Sequence, residues 1–203
     1  MILMREDAGT VRRGPRTMGA SIDEKEASAL NFYRASELHG GLLLSRLAQR
    51  CRVGELAADL LKHGAEEIEH ARLWTETMLA LGVRPRPTHD TYQRRYAAEI
   101  GRAHGVLGVL ALTHVFEKRV YAHFQAHARR VDTHPLVRAT LRRMIEEERG
   151  HLHWVRRWLD EQAGRRDARL EQIMATYEAA DERIYRALLA DYGFDAHAEF
   201  ARP

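Results

Sequence analysis

Six residues of this chain share a spacing that could do metal chemistry. Glu67 and His70 lie one helical turn apart in EEIEHARLW, and Glu148 and His151 repeat the pair in EEERGHLHW. Two further acids stand alone in apolar stretches, Glu37 in NFYRASELHGGLLL and Glu117 in LALTHVFEKRVY. Glu37 precedes Glu67 by 30 positions and Glu117 precedes Glu148 by 31; the whole second set follows the first by 80 or 81. Such self-similarity reads as one helix pair used twice, each copy delivering Glu and then Glu-x-x-His. Carboxylates in an apolar core are costly as bare anions, because desolvation and mutual repulsion favour protonation or opening. Two divalent cations would cancel four negative charges, and each would gain an imidazole nitrogen. Oxygen-rich ligation of that kind suits iron or manganese better than zinc.

The elements that must position these residues are helices. Apolar residues recur three and four apart over about 22–51, 55–81, 105–130, 135–162 and 167–192, with a short helix at about 90–103. SIDE at 21–24 reads as a capping box for the first helix, Gly82 as the end of the second, and Pro135 as a first-turn proline. On a helical wheel Glu37 shares a face with Leu30, Tyr33, Gly40, Gly41 and Leu44. Glu67 and His70 share theirs with His63 and Trp74, Glu117 with Leu110, Thr113, Val120, Tyr121 and Phe124, and Glu148 and His151 with Leu141, Met144 and Val155. Glu66 and Glu147 fall near the edge of those faces, and Glu69 and Glu146 fall outside. The segment VRPRPTHD, with Pro85 and Pro87, breaks the chain between the second and third long helices. That long link suggests a crossover rather than a hairpin. The expected fold is all-α: a four-helix bundle over 21–164, preceded by a flexible arm at 1–20 and followed by an additional C-terminal helix and tail at 165–203.

Composition narrows the setting. The 203 residues are 45% apolar and 30% charged, which fits a helix-rich globular protein. No apolar run approaches the roughly 20 residues of a membrane span. Cys51 is the only cysteine, which excludes an internal disulfide and a thiolate cluster, and a cytoplasmic setting is expected. The net charge of +3 is carried almost wholly by arginine, but arginines alternate with acids along the helices. Interspersed charge marks solvated faces and argues against a nucleic-acid partner.

The doubled ligand pattern resembles the ferritin-like di-iron carboxylate superfamily over about residues 25–160. The resemblance implies Glu37, Glu67, His70, Glu117, Glu148 and His151 as metal ligands, with Glu67 and Glu148 as bridges between two iron ions or an iron–manganese pair. Ferritin centres typically lack the second histidine, here His151. Bacterioferritins have both, but a fifth helix and a proline-rich link would disturb a tight cage. Rubrerythrins place an extra glutamate one turn after the third-helix ligand, where this chain has Val120. The resemblance therefore leans toward the O₂-activating oxygenases and hydroxylases, and implies a small-molecule substrate, O₂ and an electron donor as partners.

Around the six ligands, Tyr33, Tyr121 and Thr113 are candidate hydrogen bonders to the centre. His63, one turn before Glu67, is a candidate proton relay, hydrogen-bonding partner or third nitrogen ligand. Gly40 and Gly41, one turn after Glu37, could open a pocket for O₂ or substrate, or mark close helix packing. The last helix could cover the bundle or form a homodimer seam. Two competing readings stand beside the oxygenase: an iron-handling ferroxidase or peroxide-reducing protein, and a structural bundle whose acids pair with Arg34, Arg119 and Arg149.

Overall fold

The computed structural model describes residues 22–103, 105–163 and 168–193, and six helices make up its regular structure: α1 (Glu24–Arg50), α2 (Gly54–Ala80), α3 (Tyr92–Ile100), α4 (Gly105–Arg129), α5 (Pro135–Ala163) and α6 (Ala168–Tyr192). No strand occurs among the described residues. The arm at 1–20, Ser21 of the expected capping box and the end of the tail lie outside them.

Local chemistry sets the ends. Asp23 caps α1, its carboxylate accepting from the Glu26 amide at 2.7 Å, so the helix starts two residues later than SIDE suggested. An aspartate is a strong N-cap in its own right. Gly82, with φ of 74°, stops α2: Val83 N–H donates back to the Met78 carbonyl at 2.8 Å. That left-handed position favours glycine. Pro135 opens α5, where its missing N–H has no partner to lose.

Two apolar clusters fill the interior. One gathers Leu30 and Tyr33 of α1, Trp74 and Met78 of α2, Val120 and Phe124 of α4, and Leu141 and Met144 of α5. The other gathers Leu44 and Ala48, Leu56 and Leu60, Leu110 and Ala111, and Val155 and Leu159 from the same four helices. α1 and α5 thus run from the first cluster to the second, whereas α2 and α4 run from the second to the first. The segment between α2 and α4 carries the chain from one end back to the other. It is tied to α1 on the way: Asn31 accepts from the Arg86 amide at 3.0 Å and donates to its carbonyl at 3.0 Å, and Ser36 Oγ accepts from the Tyr92 amide at 3.2 Å. These bonds satisfy backbone groups that a helix would otherwise have paired.

α6 packs on α4 and α3. Buried Asp181 fastens it, accepting from Tyr92 Oη at 2.9 Å, Tyr96 Oη at 2.6 Å and Arg119 Nε at 2.6 Å.

Candidate metal centre

Between the two apolar clusters lies one polar layer. Each of α1, α2, α4 and α5 contributes to it at mid-length, because its apolar stripe is interrupted there: Glu37 sits between Tyr33 and Leu44, Glu67 between Leu60 and Trp74, Glu117 between Ala111 and Val120, and Glu148 between Met144 and Val155. All six sequence-derived ligand candidates are buried, none more than 5% exposed.

They form two donor groups that share Glu67. One is Glu37, Glu67, His70 and Glu148; the other is His63, Glu67, Glu117 and His151, and within each the donor atoms lie within 4.8 Å of one another. His70 Nδ1 stands 3.7 Å from Glu37 Oε2, 3.9 Å from Glu67 Oε1 and 3.5 Å from Glu148 Oε1. His151 Nδ1 stands 3.4 Å from Glu67 Oε1 and 3.1 Å from Glu148 Oε2. Glu148 therefore turns one oxygen toward each histidine. His63 completes the second group, its Nε2 3.2 Å from Glu67 Oε1 and 3.3 Å from Glu117 Oε1, its ring stacked on His151 at 3.7 Å. The two groups are thus unequal: the first offers one imidazole, the second two.

Each Glu-x-x-His histidine is held from behind by the other copy. His70 Nε2 meets Glu147 Oε2 at 2.9 Å, and His151 Nε2 meets Glu66 Oε2 at 3.1 Å. A proton on Nε2 donated to that carboxylate leaves Nδ1 free to ligate and fixes the ring plane. Glu66 and Glu147 were placed only at the edge by the helical wheel. The signal that could have found them is the doubled acid, Glu66-Glu67 and Glu147-Glu148, at the same place in both copies.

Acids and imidazoles in this layer shift one another's charge state. Burial, then the Glu67 charge, pushes the Glu37 carboxyl well above the carboxylate range. Burial, then Glu148 and Glu67, does the same to Glu117. At Glu67 burial also works upward, but the His63 hydrogen bond and charge outweigh it and hold the group low. Burial opposes charging all three histidines; at His63 it prevails and lowers the imidazole, whereas at His70 and His151 the carboxylates overcome it. Glu37 leads in pushing His70 up to about 10, and Glu148 and Glu66 in pushing His151 up to about 12. Even so, His63 Nδ1, His70 Nδ1 and Glu148 Oε1 are buried with no hydrogen-bond partner. Buried polar atoms are normally satisfied. Here His70 Nδ1 and Glu148 Oε1 both belong to the first donor group, and a cation held among its donors would use both.

The arginines do not reach this layer. Arg34 bonds Asn31 and the Arg86 carbonyl, Arg119 bonds Asp181 and Glu182, and Arg149 approaches Tyr121. The buried glutamates of the layer are therefore not paired with these three arginines, whereas buried Asp181, outside it, is paired with Arg119.

Other expected site residues fall elsewhere. Tyr33 is buried beside the centre, against Trp74 and Phe124, but its hydroxyl turns away from the ligands to His123 Nε2 at 2.6 Å and His127 Nδ1 at 3.2 Å. The chain of contacts continues from His127 to Glu26 at 2.9 Å and from His123 to Tyr185 at 2.9 Å. A cavity of ≈ 30 Å³ touches Glu37, Tyr33, His123 and Tyr185. Tyr121 is half-buried and meets Arg149 rather than a ligand, and half-buried Thr113 makes no side-chain hydrogen bond among the described residues. Gly40 and Gly41 line neither of the two cavities described. A Cβ on Gly41 would stand 2.7 Å from the Gly64 carbonyl oxygen and from Ile68 Cγ1, so this glycine is where α1 and α2 touch. A Cβ on Gly40 would crowd Glu67 Oε2 and Gln93 Nε2, each at 3.2 Å, so the glycine leaves that carboxylate its place.

Comparison with protein-family models, curated proteins and solved structures returns no match for this chain. What the layer does has to be argued from its geometry.

Proposed function

We propose that the chain is a ferritin-like four-helix bundle, with the segment between α2 and α4 as its crossover, and that it is an oxidoreductase. In this reading the buried carboxylates and imidazoles would hold two iron ions, or iron with manganese, and the chemistry such a pair would supply is O₂ activation for the oxidation of a small organic molecule. The observation that carries the reading is the pair of buried Glu/His donor groups sharing Glu67. Glu37, His70, Glu117, His151 and His63 would bind at the two ends, with Glu67 and Glu148 spanning them. Glu66 and Glu147 would orient the two Glu-x-x-His imidazoles. When bound, the metal pair supplies electrons to O₂; the chain supplies geometry and a dry surround. The apolar clusters on both sides exclude bulk water, which strengthens the electrostatics inside. The ≈ 30 Å³ cavity beside Glu37 has room for O₂ or water.

The size of that cavity also favours a second reading, iron oxidation or peroxide reduction, in which nothing larger than O₂ or peroxide needs to enter. One experiment separates a catalytic centre from iron storage. The full chain is loaded with excess Fe(II) without air, desalted, exposed to air and assayed for iron. About two irons per chain, lost in Glu148→Ala, support a catalytic centre. Many tens per chain mean storage. Full iron content in Glu148→Ala overturns the ligand assignment.

A further inference from the structure

At the far end of the bundle from the cavity beside Glu37, a second cavity of ≈ 310 Å³ opens where α1 turns into α2 and α4 begins. Its walls are apolar, with Leu47, Leu56, Leu60 and Leu110 among them. Its rim carries Arg50 and Arg52, both exposed, and among the described residues neither guanidinium makes an ion pair or hydrogen bond. The volume falls at the lower end of small-molecule sites, which are concave and mostly apolar with a few polar groups that set orientation. Arginine presents a planar fork that matches a carboxylate.

The cavity points toward the metal layer. Leu60, at its inner wall, is buried at 1% exposure and precedes His63 by one helical turn on the same face of α2. Leu110 lies on the face of α4 that carries Glu117. From Val53 to Leu60 the α2 wall is about 10 Å deep at ≈ 1.5 Å per residue. That depth suits a short alkyl chain entering end-on, its charged head left at the rim and its tail directed at His63.

We propose that this cavity binds a linear aliphatic carboxylate, held by Arg50 and Arg52, and that such acids are the substrate class of the dinuclear centre. The role as substrate rests on the function proposed above; the binding does not. The charge pattern selects this occupant: a cationic or neutral amphiphile would leave both guanidiniums without a partner.

Cys51 supplies a probe, because the chain's only cysteine lines the cavity, half-buried between the two arginines. In the metal-free full chain, octanoate should slow alkylation of Cys51 by a small maleimide several-fold, and octylamine should not. Arg50→Glu with Arg52→Glu, both at exposed positions, should abolish the octanoate effect. Val106→Trp, at the exposed mouth, should weaken it without touching the arginines. No protection by octanoate, or equal protection by octylamine, overturns the proposal. In the Co(II)-loaded chain, the terminal methyl of octanoate should relax faster than the methylene beside its carboxylate. The reverse order overturns the tail-inward arrangement. If octanoate protects Cys51 but the chain takes up no Co(II), the binding site stands and the metal reading falls; these failures are distinct.

Discussion

Two buried polar regions of this protein behave in opposite ways. Around Asp181 every demand is met: two tyrosine hydroxyls and the Arg119 guanidinium donate to one carboxylate, between 2.6 and 2.9 Å. Around Glu67 four carboxylates and three imidazoles crowd together, two carboxyls are driven toward the neutral form, and buried nitrogens and an oxygen are left without partners. A satisfied cluster fastens one element to another, here α6 and α3 to α4. An unsatisfied one of like groups at the meeting point of four helices offers donor atoms that could hold a cation. Buried acid alone marks neither; what separates them is whether the buried polar atoms find partners within the chain.

The sharpest way to break this contrast is to remove a carboxylate from each. Asp181→Ala leaves Arg119 short of its buried partner and should cost about 3–5 kcal/mol, the scale for breaking a buried pair, with metal content per folded chain unchanged. Glu117→Gln should do the reverse. Burial and the Glu148 and Glu67 charges already push the Glu117 carboxyl toward its neutral form, so an amide relieves repulsion in the metal-free protein and the thermal midpoint holds or rises while metal uptake is lost. If Glu117→Gln destabilises the metal-free fold as much as Asp181→Ala does, the two regions are alike and both are structural.

Glu147→Gln and Glu66→Gln should each weaken metal binding by about 10–100-fold, because an imidazole oriented by an amide is a poorer ligand than one oriented by a carboxylate. Titration with Co(II) reads this directly, and unchanged affinity would remove both residues from the site.

Acidity separates the regions further. His70 and His151 are raised above the ordinary histidine value, to about 10 and about 12, and Glu37 and Glu117 are raised above theirs. The metal-free fold therefore binds more protons at this centre than the unfolded chain does. The stabilisation from the histidines is complete below about pH 6.5 and is lost as pH climbs through their folded values. Glu67, held low, works the other way, and only below about pH 4.5. Metal binding displaces protons, so the rise in thermal midpoint on adding metal should grow with pH while the metal-free midpoint falls. A metal-free midpoint that climbs from pH 7 to 9 would contradict the proton count.

The smallest effect is expected at the border between the regions. Tyr33→Phe removes the hydroxyl that joins His123 and His127, at a cost of about 1 kcal/mol. Metal content should not change, because Tyr33 packs beside the ligands without bonding to them.

Much of this was legible in the sequence. Helix positions followed from the three-and-four spacing of apolar residues and came out within a few residues, because helical period, Gly82 and Pro135 act locally. The six ligand candidates were legible because one interruption recurs at the same depth in four apolar stripes. His63, by contrast, carried three readings until α4 and α5 were in place. Its contact with Glu117 and its stacking on His151 join residues more than 50 positions apart. Glu66 and Glu147 looked like edge residues because a wheel shows one helix at a time, whereas each serves the histidine of the opposite copy. Gly41 read equally as a gap or a contact; the Gly64 carbonyl facing it decides for contact. Tyr121 and Thr113 shared the right stripe but not the right rotation.

By itself, then, the sequence determined which helices form and which of their faces carry acids inward, since both follow from spacing along one chain. Only the tertiary structure decided which donors meet, which histidine is held by which carboxylate, and where space remains. Those depend on the register and rotation between helices, and these are set by packing across the interface and leave no period in the sequence.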